Sequence, residues 1–251
     1  MGPHLRHRDK LLGVAGTVLF ALAWEAIGTL RLLGMGWPPL SQVLGLIADP
    51  NRSALFWRAL ASSLHALAVG YCAGVAGGLL LAAATHLLPA LRPGVDRASA
   101  LVNAIPSIAL APLFLLFLGN GATPAAMAAL TTFFVVYVAA TSGLAAASPM
   151  LRDLIQVLGG SRVTRFLRID LPSALPQIVS GMRLAAPSAL IGVIVGEWFG
   201  APRGLGVLVI NAMQNFQIPL LWAAVLLAVV TSLLFFVLLG AVQNAVRRRF
   251  S

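Results

Sequence analysis

Six apolar stretches, separated by short basic or turn-forming connections, organise this chain. They run from Leu11 to Leu30, His65 to Leu88, Val95 to Leu118, Thr123 to Ala145, Ile178 to Phe199 and Pro219 to Val242. Each reaches the roughly 20 residues that a helix needs to cross the hydrocarbon core of a bilayer. Between the first two, Trp37-Pro38-Pro39-Leu40-Ser41 leads into an amphipathic piece with Val43, Leu44 and Ile47 on one face, and Asp49-Pro50-Asn51 closes it as a turn. The pattern predicts an all-α polytopic membrane protein with six transmembrane helices and one short interfacial helix.

Composition agrees. Hydrophobic residues make up 59% of the chain and charged residues 10%, against roughly 45–50% and 25% in soluble domains. The mean hydropathy is +0.93. A water-soluble core of this size would expose much of that apolar sequence. The net charge of +10 does not mark a nucleic-acid binder, because the basic residues sit in short segments between spans. With the N-terminus inside, twelve of them (Arg6, Arg8, Lys10, Arg92, Arg97, Arg152, Arg162, Arg165, Arg168, Arg247, Arg248 and Arg249) are cytoplasmic. Four (Arg31, Arg52, Arg58 and Arg203) are outside. The positive-inside bias predicts N-in, C-in, and it places Trp37, Trp57, Trp198 and Trp222 at the outer headgroup level that indoles prefer. Arg6, Arg8 and Lys10 before an apolar run with Ala21-Leu22-Ala23 have the form of a cleavable leader. Trp24-Glu25 and the apolar residues beyond them point instead to an uncleaved first span.

Two absences narrow the chemistry. Cys72 is the single cysteine and lies within a span, so no disulfide framework exists and a small packing residue is expected there. Lys10 is the single lysine and follows Asp9, so the chain has no Gly-Lys-Ser/Thr phosphate loop. If ATP drives this protein, another polypeptide binds it. His65 and His86 are too far apart along one helix to share a metal, and each is expected to be packed or hydrogen-bonded. No catalytic constellation is present.

The connection between the fourth and fifth spans carries the strongest local signal. Ser148-Pro149 is a helix start, with a capping hydroxyl and a proline at the first helical position. Leu151, Leu154, Ile155 and Leu158 share one face. Gly159-Gly160 permits a turn, and Ser161 can cap a second short helix carrying Val163, Phe166 and Leu167. Two small helices joined by a glycine elbow can seat in a groove; the same pattern also fits a loop resting on lipid headgroups.

The spacing of this segment resembles the EAA loop of ABC-importer permeases. Asp153 stands at the acidic position, Gly159 at the glycine and Leu171-Pro172 at the end, with Leu154 and Ile155 in place of the two alanines. Trp24-Glu25, Pro39-x-x-x-Val43, Ser62-Ser63-Leu64, Ile105-Pro106 with Pro112-Leu113, and Gly119-Asn120-Gly121 resemble the sulfonate/nitrate/taurine branch of those permeases. So do Leu175-Pro176, Gly181-Met182-Arg183, Gly196-Glu197 and Gly204-Leu205-Gly206. The resemblance implies a type I ABC-importer permease bundle in a bacterial cytoplasmic membrane, not itself an enzyme. It implies cytosolic ABC ATPase subunits holding ATP and Mg, an extracytoplasmic solute-binding protein, and a second permease copy or paralogue. In that family Asp153, Leu154, Ile155, Leu158, Gly159, Gly160, Leu171 and Pro172 would form the ATPase-coupling loop. The solute would be a sulfonate-, taurine- or nitrate-like anion or a thiamine-type precursor. A secondary transporter or channel without an ATPase is the runner-up, poorly matched because inverted repeats and buried ionisable relays are not evident. An intramembrane enzyme is a third class.

Domain organisation follows from these marks. Residues 1–55 comprise a cytoplasmic tail, the first span and the outer interfacial piece; 56–245 the permease core, with a coupling loop at 148–172; 246–251 a basic tail. Within the core, Pro106 and Pro112 interrupt the third span, each removing a backbone donor. Asn103 and Ser107 flank that kink and, with Ser188 of the fifth span, are candidates for the wall and hinge of a translocation pathway. Hydrogen bonding between helices is the competing role for Asn103. Glu197 lies nineteen residues into its span, about 28 Å along a helix. That depth makes it an outer gate or binding-protein dock, or an interfacial carboxylate with no transport role. Arg183 is expected to snorkel toward the inner face, with a gate or loop partner such as Asp170 as the alternative.

Overall fold

The computed structural model describes residues 3–250, and every regular element in that range is helical. The long helices are α1 (Pro3–Thr29), α3 (Ser53–Leu87), α6 (Thr123–Ala145), α9 (Leu171–Trp198) and α11 (Ile218–Phe250). Between them lie α2 (Leu40–Ala48), α4 (Arg92–Ala104), α5 (Ser107–Leu118), α7 (Pro149–Val157), α8 (Arg162–Arg165) and α10 (Leu205–Gln214). Among the described residues, five helices are long and apolar enough to cross a membrane.

The third of the six predicted spans is broken. Its residues form α4 and α5, which meet at 98° across Ile105 and Pro106. Pro106 forces its predecessor out of the helical region, and Ile105 is extended at ψ 125°. Pro112 by contrast stays inside α5. One proline therefore ends a helix and the other is absorbed.

Helices α3, α6 and α9 make the centre, with α11 against α9 and α10 wedged between α9 and α11. Close approach of α3 and α6 depends on Gly70, Gly74 and Gly78, one helical turn apart. A methyl at Gly74 would come within 2.5 Å of the Ala129 carbonyl oxygen, and one at Gly78 within 2.9 Å of that of Phe133. Lipid offers no hydrophobic drive for helices to associate, so close van der Waals contact through small residues takes its place. The outward faces of α1 and α11 remain apolar and exposed, for instance at Leu19 and Phe20, and at Leu234 and Leu238. Helix α1 is fastened near one end. Trp24 packs on Trp37 and Trp222, at centroid distances of 5.2 and 5.0 Å, and Glu25 accepts hydrogen bonds from the amide (2.9 Å) and hydroxyl (2.6 Å) of Ser41.

Several expectations shift. Helix α3 begins twelve residues before His65, and α9 seven before Ile178. In α2, Val43 is fully buried while Leu44 is 49% exposed, so the two do not share a face. Cys72 and His65 are exposed on α3 rather than packed.

Candidate functional site

The elbow between α6 and α9 stands clear of the bundle. Proline at the first turn starts α7, but the Ser148 hydroxyl makes no capping bond. Met150, Leu154, Val157 and Leu158 are 75, 53, 85 and 73% exposed. An exposed apolar row of this kind marks an interaction surface. Gly159 takes φ +73°, a left-handed turn that glycine makes without the Cβ penalty. Gly160 is needed for a different reason: a methyl there would strike the Ile155 side chain at 2.5 Å. The hydroxyl of Ser161 caps α8, accepting from the Thr164 amide at 3.1 Å.

Beyond α8, residues Phe166–Asp170 form a π-helical turn that runs directly into α9. Asp153, Leu154, Ile155, Leu158, Gly159 and Gly160 thus gather on the projecting elbow. Leu171 and Pro172 do not. They form the first turn of α9, with Phe166 and Leu171 packed on the cluster of Ala82, Tyr137, Ala140, Leu144, Ala174 and Ile178.

At this junction Asp170 is wholly buried. Its Oδ2 lies 2.8 Å from Nε2 of His86, near the end of α3, and 3.3 Å from Nε of Arg165 in α8. The Arg165 Nε is itself buried and not aligned for a hydrogen bond, so this second contact is an ion pair only. Arg183, the partner considered for Asp170, is elsewhere. It donates to Oε1 of Gln243 at 2.8 Å and lies 4.1 Å over the Phe236 ring of α11.

Where α4 breaks from α5, a cavity of about 290 Å³ opens against α6 and α9. Asn103, Pro106, Ser107 and Ser188 all line it, together with Thr131 and Phe134. Pro112 does not; it is exposed on α5. The lining has hydroxyl, amide and aromatic groups and, among the described residues, no charged side chain.

At the opposite end of α9, Glu197 is 2% exposed, which removes it from the surface. Its carboxylate accepts from the Ser63 hydroxyl of α3 and from the Gly206 amide of α10, each at 2.7 Å. The Leu205 amide donates to the same Ser63 hydroxyl at 2.8 Å. Two other helices thus satisfy the free N–H groups that begin α10, where a carboxylate also meets the helix dipole favourably. Gly204, at φ +150°, has no room for a Cβ against that carboxylate. Sequence reasoning placed Glu197 near a surface because it counted depth along one helix; its partners lie 134 and 9 residues away.

Residues 74–251 match the model of the family described as "binding-protein-dependent transport system inner membrane component". The chain is similar to the taurine transport system permease protein of Escherichia coli (strain K12), 28% identical with 97% of this chain and 90% of the relative covered. It is likewise similar to the formylaminopyrimidine transport permease protein of Halalkalibacterium halodurans, 29% identical over 90% of this chain and 91% of the relative. In fold it is similar to a chain of a bacterial ABC transporter involved in import of the acidic polysaccharide alginate. That TM-score is 0.60 at 16% identity, covering 95% of this chain and 96% of the other. A helical bundle of apolar spans, a projecting amphipathic elbow and this family match lead to one conclusion: the chain belongs to the binding-protein-dependent transport inner membrane component family and is a permease subunit of an ABC importer.

Proposed function

We propose that this chain forms one half of the translocation pathway of a type I importer, pairing with a second copy or a paralogue, and that α7 seats in a groove on a cytosolic ATPase subunit. The exposed apolar row of α7 carries this reading, because Leu154 and Leu158 project from the bundle beside a basic segment that belongs outside the hydrocarbon core. Both chain ends are cytoplasmic. That arrangement requires the α4–α5 pair to count as one crossing, so that six crossings return the chain to its starting side. Fusions after Arg168 and Arg249 should then report the cytoplasm, and fusions after Arg52 and Arg203 the exterior.

Docking is tested by Leu154→Asp and Gly159→Pro. Replacing a buried apolar contact by a charge loses about 2–3 kcal/mol of burial, with desolvation added. Both variants should insert normally, lose co-purifying ATPase and stop uptake. Retained association would make the elbow a headgroup connector instead.

The cavity beside Pro106 is the proposed passage, with Asn103, Ser107 and Ser188 as its polar wall. In a Cys72→Ser background, Ser107→Cys and Ser188→Cys should react with a membrane-impermeant thiol reagent, and turnover should change the rate. The solute is a small sulfonate-, taurine- or nitrate-like anion or a thiamine-type pyrimidine precursor, in keeping with the named relatives. With no charge among the described residues of the cavity lining, selection between them rests on the solute-binding protein. Growth of a deletion strain on single sulfur or nitrogen sources, and with pyrimidine precursors, separates the two classes.

A further inference from the structure

Resting on the reading that α7 docks on an ATPase, we propose that Asp170 is the positioning residue through which movement of the elbow reaches the membrane bundle, by its joint hold on His86 of α3 and Arg165 of α8. Among the described contacts, three elements converge on this carboxylate. Helix α8 contributes Arg165, α3 contributes His86 one residue before its end, and Asp170 itself opens α9.

The surroundings distinguish this junction from a simple packing contact. Asp170 is completely buried, and a buried carboxylate persists only while paired. The rest of the elbow is attached loosely: α8 has four residues, and Gly159 supplies a left-handed turn before it. The π-helical turn between α8 and α9 has the wide, irregular hydrogen bonding that recurs at functional sites. A displacement of α7 is therefore taken up by the glycine turn and the π-turn, except where a side chain bridges them. Asp170 is that bridge. The His86 ring also lies 5.8 Å from the Phe166 ring, so the π-turn and the end of α3 are in contact through rings as well as through the His86–Asp170 hydrogen bond.

From His86 the route continues along α3. This helix is 35 residues long and uninterrupted, its glycine stripe locks it to α6, and its Ser63 binds Glu197 and the start of α10 at the far end. A pull at Asp170 thus acts on a stiff rod attached at both ends.

The test uses the chain expressed with its ATPase and binding protein. Asp170→Asn preserves shape and removes the charge; His86→Ala removes the ring; His86→Gln restores an amide donor near the position of Nε2. Asp170→Asn and His86→Ala should keep ATPase co-purification within twofold of the parent while uptake falls at least tenfold and ATP hydrolysis continues. His86→Gln should recover uptake to within threefold. Parental uptake in Asp170→Asn and His86→Ala would overturn the proposal, and so would loss of the co-purifying ATPase in step with uptake, since the pair would then merely shape the docking surface. Failure of the docking reading has a separate signature: Leu154→Asp would retain the ATPase whatever Asp170 does.

Discussion

Helices α3 and α9 are tied together near both ends by a buried carboxylate, Glu197 at one and Asp170 at the other, and the partners differ in kind. Ser63 and His86 are 23 residues apart on α3, about 34 Å along the helix. Glu197 is held by a short hydroxyl and a backbone amide at 2.7 Å each. Neither donor can move far without moving a helix, and Gly204 is moulded onto the carboxylate. Asp170 is held by an imidazole and a guanidinium, side chains with rotatable bonds. The Arg165 side chain is 33% accessible, with its Nε at 3.3 Å and out of alignment. The first joint has no slack and the second has some. A helix pair held in this way is rigid where α10 begins and able to yield where the elbow enters.

Three substitutions would break or sharpen that contrast. The largest effect is expected at Gly204→Ala, where the new Cβ has no space against Glu197 and φ is one that L-residues rarely adopt. It should destabilise by about 3 kcal/mol or more, read as loss of monodisperse protein in detergent; normal yield and melting temperature would mean the α10 joint is pliable. Glu197→Gln comes next. It keeps the shape, but one carboxylate oxygen becomes a donor facing the Ser63 hydroxyl or the Gly206 amide, at about 1–3 kcal/mol for the buried group left unmet. The melting temperature should drop while the ATPase still co-purifies. Arg165→Gln should do least to stability, costing about 1 kcal/mol, because Asp170 keeps its His86 hydrogen bond and loses only an ion pair that is out of alignment. A drop as large as that of Glu197→Gln would erase the distinction between the two joints.

How much of this could be read from sequence follows from the range of each interaction. Helix α6 occupies the predicted Thr123–Ala145, because an uncharged, mainly apolar span between Gly121 and Ser148-Pro149 is set by local chemistry. Helix α9 starts earlier than hydropathy implies, since Leu171-Pro172 reads as a loop ending yet proline is tolerated in a first turn. The glycine elbow was legible for the same local reason, and so was the polar lining near Pro106. The pairings of Asp170 with His86 and of Glu197 with Ser63 were not, being separated by 84 and 134 residues. A signal was present in the Gly204-Leu205-Gly206 triplet after a carboxylate, which only the folded backbone turns into a cradle. Helix α10 was missed because, at ten residues, it is too short for a hydropathy window built for spans.

The right-angled break at Pro106 also bears on how this protein is made. Helix α4 has 13 residues and carries Arg92, Asp96, Arg97 and Asn103, and α5 has 12. At about 20 and 18 Å, neither matches the roughly 30 Å of a bilayer. Neither is therefore a complete insertion signal on leaving the ribosome. The Asp96 carboxylate accepts a hydrogen bond from the Tyr137 hydroxyl at 2.6 Å, and Tyr137 belongs to α6, the next helix to be synthesised. The bent pair is thus tied to the helix that follows it in the chain, so its placement in the membrane draws on a segment made later.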